Sequence, residues 1–166
     1  MSLATLQPSA FAAGLPDGSA TPEVELTRLD GTRFSLTKLL EGKAGLLSFW
    51  ATWCGPCMME LPSLDRLHAR LAGEAGIEVL AVNVDQGLDA SALAGFWKRQ
   101  GYTLPVALDA SGRAGALFGV SMLPMAFLIS NQGKVRYTLP GARSWESEQW
   151  VRGLQAMARE GAAGAG

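Results

Sequence analysis

Along this chain the apolar positions change period from two to three-and-four and back. Val24-Glu25-Leu26-Thr27-Arg28-Leu29 alternates apolar and polar residues, the pattern of a strand buried on one face. Asp30-Gly31 is a turn signal, and Arg33-Phe34-Ser35-Leu36 completes a predicted hairpin. Ser35 or Thr37 is placed to cap a short helix over Lys38 to Leu40. Ala44 to Trp50 is a short apolar run, suited to a strand covered on both faces. Beyond it Leu61, Leu64, Leu67 and Leu71 recur every three or four residues, with Glu60, Asp65, Arg66 and Arg70 between them. That spacing predicts an amphipathic helix ended by Gly73 and Gly76. Pro62 inside it removes one backbone hydrogen bond and is expected to kink it.

Ile77 to Val84 reads as a second buried strand, followed by a helix around Asp89 to Arg99. A short strand is predicted at Val106 to Leu108 and a brief helix near Arg113 to Phe118. Ala126 to Ile129 is a strand, Asn131-Gln132-Gly133 a turn, and Lys134 to Leu139 its antiparallel partner. A terminal helix is expected over Trp145 to Arg159. Strands alternating with helices and closing on a hairpin define an α/β protein, a central sheet with helices on both faces. With no repeat and no internal linker, residues 22–160 are expected to form a single domain.

Residues 1–21 are rich in Ala, Gly, Ser and Pro and lack periodicity, so they read as a flexible lead-in, as does the Gly/Ala tail at 161–166. Ala10-Phe11-Ala12 has the small-x-small form of a signal-peptidase site, but no basic or apolar region precedes it. The lead-in is either the remnant of an export signal, with Met1-Ser2-Leu3 an artificial start, or an ordinary tail.

Composition narrows the function. The 166 residues are 48% hydrophobic and 17% charged, with formal net charge −1 and no cluster of Lys and Arg. That excludes a nucleic-acid footprint and a polybasic membrane patch. No apolar run approaches the roughly 20 residues needed to span a bilayer. The two cysteines, Cys54 and Cys57, lie three apart. A bridge across so small a loop restrains the unfolded chain weakly, so the pair points to redox or metal chemistry and not to a structural staple.

The run Trp53-Cys54-Gly55-Pro56-Cys57 falls between the buried strand and the amphipathic helix. There the first cysteine meets the unpaired N–H groups and the positive end of the helix dipole, which stabilise a thiolate. Cys54 is therefore the exposed, attacking sulfur, and Cys57, one turn inside, the resolving one. Pro56 occupies a first-turn position where its missing N–H costs nothing. Trp50 and Trp53 are either an apolar surround for the pair or plain core aromatics. Zinc needs four ligands, and His68 is the chain's one histidine, so a closed metal site within the chain is not expected.

Phe49-Trp50-Ala51-Thr52-Trp53-Cys54-Gly55-Pro56-Cys57 resembles the thioredoxin superfamily, and more narrowly its exported TlpA/ResA/DsbE-type branch. Phe34-Ser35-Leu36, Gly42-Lys43, Glu60, Pro62, Phe118-Gly119-Val120 to Pro124, Phe127-Leu128-Ile129 and Gly133 agree with that branch, over about Asp30 to Gly141. The Asp89–Gln100 helix and Pro105–Asp109 strand match its insertion. The resemblance implies a thioredoxin-like fold with a central mixed sheet, an N-terminal β-hairpin and an inserted helix–strand segment. It implies a cis Leu123–Pro124 bond beside the cysteines, where a bare X–Pro reading expects trans. It implies that Trp53, Gly55, Pro56, Leu123 and Pro124 contact the substrate, with the Leu123 backbone pairing with it in β fashion. Glu60 matches an acidic position that tunes the thiols. Its spacing from Cys57 places both on one helix face, as a proton carrier or as a solvated charge. The chain departs from its relatives at Ser48, where plain thioredoxins bury Asp, and at Met122, Met125 and Ser130.

The implied activity is thiol–disulfide exchange with protein substrates by a Cys54–Cys57 dithiol/disulfide, without further cofactor or metal. The Gly-Pro dipeptide is that of thioredoxin, at the reducing end of the range near about −270 mV. This implies a periplasmic or membrane-anchored bacterial reductant, monomeric, recharged by a membrane thiol reductase and serving processes such as cytochrome c assembly and cell redox homeostasis. Two other readings stay open. A thiol peroxidase shares the hairpin and lead-in, but Ala51-Thr52-Trp53 stands where such enzymes keep Pro and Thr. A Cu(I) carrier would use the pair as soft ligands, but no His follows the motif.

Overall fold

The computed structural model describes residues 14–161. The Ala10-Phe11-Ala12 and Met1-Ser2-Leu3 readings lie outside them, as does the tail after Gly161. The chain begins with a hairpin, β1 (Glu25–Thr27) and β2 (Arg33–Ser35). Its turn is closed by Asp30, whose Oδ1 accepts from Thr32 N at 2.9 Å and from Thr32 Oγ1 at 2.6 Å. Ser35 caps α1 (Leu36–Leu40), accepting from Lys38 N at 3.2 Å. Next come β3 (Ala44–Trp50), α2 (Gly55–Leu71) and β4 (Ile77–Asn83). The inserted segment follows as α3 (Ala90–Gln100) and β5 (Val106–Leu108), then α4 (Arg113–Leu117). The closing hairpin is β6 (Met125–Ile129) and β7 (Val135–Pro140), before α5 (Glu148–Arg159).

The strands form one seven-stranded mixed sheet in the order β2-β1-β5-β4-β3-β6-β7. β3 is an interior strand, parallel to β4 and antiparallel to β6. The inserted β5 runs parallel to β4 and links the sheet to the N-terminal hairpin through β1. The period of two in β3 divides its side chains between two cores. Leu46 and Trp50 face the side packed by Leu61, Leu64 and Leu67 of α2, Leu93 and Trp97 of α3, and Leu154 of α5. Leu47 and Phe49 face the side covered by Leu36 and Leu40 of α1, Ala114 of α4, and Phe118. Helices thus cover both faces, as the pattern predicts.

Helix α2 runs from Gly55 to Leu71 with Pro62 inside it, as the spacing predicts. Two expectations are altered. Helix α5 starts at Glu148 and not at Trp145; Trp145 is fully buried in the preceding turn, where its N–H donates to Ser63 Oγ at 3.1 Å. The expected lead-in is tied down in its last eight residues, 14–21. Gly14 N–H donates to the Gly119 carbonyl at 2.9 Å, Gly18 N–H to Val135, and Thr21 N–H to Gly133 at 2.8 Å. The Gly14 contact needs Gly119 bare: a Cβ there would sit 3.3 Å from the Gly14 backbone, at a residue whose φ is +68°.

Candidate active site

β3 ends at Trp50, and the chain then turns through Ala51-Thr52-Trp53 into α2. The turn is fixed from the neighbouring strand. Asp85, just past β4, accepts from Thr52 N at 2.8 Å and from Thr52 Oγ1 at 2.7 Å. Asn83 orients that carboxylate, donating to Asp85 Oδ2 at 2.6 Å and accepting from Asp85 N at 3.0 Å. Each polar atom of this bracket has a partner, so it can be buried without penalty. Trp50 belongs to the buried core that also holds Cys54 and Cys57. It is 1% exposed and lies against Phe96 and Trp97, with ring centroids at 5.8 and 5.3 Å. Trp53 stands in solvent, 73% exposed, and lines the groove before the cysteines.

Cys54 is the N-cap of α2, with extended backbone. Its Sγ accepts from Cys57 N at 3.3 Å, the place a capping oxygen usually takes. The two sulfurs are bonded in a disulfide, with Cα atoms 5.3 Å apart. Both residues are largely covered, Cys54 to 6% exposure and Cys57 to 1%. Cys54 is thus less open than expected, but it lines the groove and Cys57 does not. The groove measures about 640 Å³. Trp53, Gly55 and Pro56 form one side, and Val120, Met122 and Leu123 another. The Leu123–Pro124 bond is cis, so the trans default for X–Pro does not hold here. Pro124 immediately precedes β6, whose Met125 pairs with Phe49 of β3, and that register brings it level with the end of β3.

Glu60, three residues after Cys57, is buried to 4% exposure. Trp145 Nε1 donates to its Oε1, while Oε2 is buried with no partner among the described residues. Burial pushes the Glu60 carboxyl up to about 7, against the opposing effects of the Trp145 hydrogen bond and the Arg143 charge. Ser48, at the position of the thioredoxin Asp, is buried between Ala81 and Ala126. His68 is half-buried on α2, and no group of three or more His, Cys, Asp or Glu able to hold a metal occurs among the described residues.

Cys54, Cys57, Trp53, Gly55, Pro56, Leu123 and Pro124 therefore come together at one end of β3, with Glu60 one turn behind Cys57. Trp145, Arg143, Asp85 and Asn83 were not anticipated. A signal existed for Asn83 and Asp85, two polar residues breaking an apolar strand pattern at its end. For Trp145 the apolar pattern was misleading, since it allowed the helix to be extended back over it.

The Redoxin family model matches residues 16–152. The thiol-disulfide oxidoreductase ResA of Geobacillus thermodenitrificans is 36% identical over 129 residues, covering 78% of this chain and 72% of that protein. The chain belongs to the Redoxin family. The ResA of Bacillus subtilis is also 36% identical, over 127 residues. Among solved structures, a putative thiol:disulfide interchange protein DsbE from Chlorobium tepidum superposes with a TM-score of 0.73 at 30% identity, covering 87% of this chain and 99% of that one. Within the Redoxin family this is thus a TlpA/ResA/DsbE-like protein-disulfide oxidoreductase with a thioredoxin-like fold, and its redox group is a Cys-x-x-Cys disulfide. Among the described residues no helix is long and apolar enough to cross a membrane.

Proposed function

We propose that this oxidoreductase works as a reductant of protein disulfides outside the cytoplasm, as a monomer, with a membrane thiol reductase restoring its dithiol. Cys54 at the cap of α2 and the mouth of the groove carries the reading. In the dithiol form the Cys54 thiolate attacks one sulfur of a client disulfide, and the other client sulfur leaves as a thiolate. The mixed disulfide places the client along Trp53, Gly55, Pro56 and the Leu123–Pro124 segment, where the Leu123 backbone pairs with an extended client strand. Cys57 then passes its proton to Glu60 and attacks Cys54 Sγ. The second client thiolate departs, and the Cys54–Cys57 disulfide forms. Two electrons have moved from the protein to the client, which ends as a dithiol.

Glu60 suits the proton step because a carboxyl held near about 7 can both accept and release a proton at neutral pH. Reducing direction is supported by the Gly55-Pro56 dipeptide, and location outside the cytoplasm by the resemblance to exported relatives. The test is a Cys57→Ser trap together with a redox titration. Cys57→Ser should accumulate mixed disulfides through Cys54, and the wild-type potential should lie near about −270 mV. A potential near about −120 mV would overturn the reductant assignment. More trapping by Cys54→Ser than by Cys57→Ser would reverse the two sulfurs.

A further inference from the structure

Glu60 also lines a second opening, of about 350 Å³, with Met59, Arg66, Arg143, Ser144 and Glu146. Among the described residues none lines both this opening and the groove in front of Cys54. The carboxylate behind it is asymmetric. Oε1 is engaged by the Trp145 indole, and Oε2 has no partner among the described residues. Trp145 is itself fixed. Its N–H donates to Ser63 Oγ at 3.1 Å, the Ser63 hydroxyl donates to the Glu60 carbonyl at 2.9 Å, and its ring meets Trp150 at 4.6 Å. The charged groups around the opening are Arg143 and Glu146 from the β7–α5 turn and Arg66 from α2, and Arg66 and Glu146 pair with each other. Cys57 lies one turn nearer the N-terminus of α2.

The geometry bears on a problem in the resolving step. Cys57 must lose its proton while a client, bonded to Cys54, covers the groove. A proton acceptor that met water only through the groove would be sealed at that moment.

We infer that Glu60 exchanges its proton with water through the Met59–Ser144 opening, with Trp145 as the positioning residue that holds Oε1 and leaves Oε2 to carry the proton. This rests on the reading of Glu60 as proton carrier. The Cys57 S–H bond breaks, its proton moves to Oε2, and the Cys54–Cys57 bond forms as the client thiolate leaves. The proton on Oε2 then passes to water on a face that the client does not touch, and the client thiolate takes its own proton from solvent.

The experiment follows hydrogen exchange of the Trp145 indole N–H by NMR in Cys57→Ser protein, free and as a mixed disulfide with a cysteine-containing peptide. Exchange should agree within about twofold between the two states, since the hydrogen bond to Glu60 is reached from the second opening. Ser144→Leu, which narrows that opening, should slow exchange about tenfold in both. Met59→Ala, at a position 82% exposed and so without consequence for folding, should speed it about twofold or more. In protein that keeps Cys57, Ser144→Leu should slow single-turnover release of the peptide thiol about threefold or more. Protection of the indole by the peptide, with no response to Ser144→Leu or Met59→Ala, would place the route in the groove and overturn the inference while leaving Glu60 as carrier. A pH profile of peptide release unchanged by Glu60→Gln would instead remove the carrier reading on which it rests.

Discussion

Replacing Glu60 by Gln keeps an acceptor for the Trp145 indole and removes the titration, so it isolates the consequence of burying an ionisable carboxyl. In the unfolded chain the group ionises near its usual 4.5, and in the fold only near about 7. Between those values the folded state binds more protons than the unfolded one, so its stability falls as pH rises through the window. Below 4.5 the carboxyl is protonated in both states and contributes no difference; above about 7 the whole penalty is present. A shift from 4.5 to about 7 corresponds to about 3 kcal/mol. The Trp145 hydrogen bond and the Arg143 charge already act against burial in that figure. In urea unfolding of the oxidised proteins, where the cysteines do not titrate, the stability of Glu60→Gln relative to wild type should rise by about 3 kcal/mol from pH 4 to pH 8. For slopes typical of small proteins that is a midpoint difference of about 1–3 M urea. A relative stability flat with pH would show that Glu60 ionises in water, and it would remove both the proton-carrier reading and the physical basis of the second opening.

Other parts of the structure make simpler demands. Asp85→Ala strips the Thr52 N–H and the Asn83 amide of their partner, and should cost about 2 kcal/mol or more in urea unfolding while slowing disulfide exchange, because the turn presenting Cys54 loosens. Asp89→Ala removes the cap on α3, whose Ala92 N–H is held at 2.7 Å, and should cost about 1 kcal/mol with exchange rates unchanged. Leu64→Ala, at a fully buried site between α2 and the sheet, should cost about 3–5 kcal/mol by chemical denaturation. A loss under about 1 kcal/mol there would mean that this core is loosely packed.

What could be read in advance depended on how local each cause was. The hairpin, β3, α2 and the inserted segment follow from periodicities within a dozen residues and from turns such as Asp30-Gly31, so they emerged with ends shifted by one or two positions. The sequence pattern places the start of helix α5 too early because Trp145 is apolar and close to the helical period. Its place is decided by Ser63, 82 residues earlier, which takes its N–H. The Cys54–Cys57 pair was legible for the same local reason as the hairpin: three residues set both the helix cap and the disulfide. The cis bond before Pro124 was legible only through the family resemblance, because a lone X–Pro favours trans and what surrounds it comes from β3 and from Gly141, just past β7.

Glu60 stands between these cases, and its ambiguity has a physical source. Helical spacing places it on the face of Cys57, which is equally true of a solvated charge and of a buried one. The choice is made by what covers it, and the cover comes from Trp145, 85 residues away. A carboxylate on α2 facing water would hold its ordinary affinity for protons and do nothing for the resolving sulfur at neutral pH. Closed over by the β7–α5 turn, the same side chain becomes a neutral-pH acid. The sulfur chemistry of this family thus rests on a three-residue spacing that any reader of the sequence can see. The proton step proposed for this chain rests on a tertiary contact, Trp145 with Glu60, so mutation of Trp145 or Ser144, far from the cysteines in sequence, is expected to tune it without touching either sulfur.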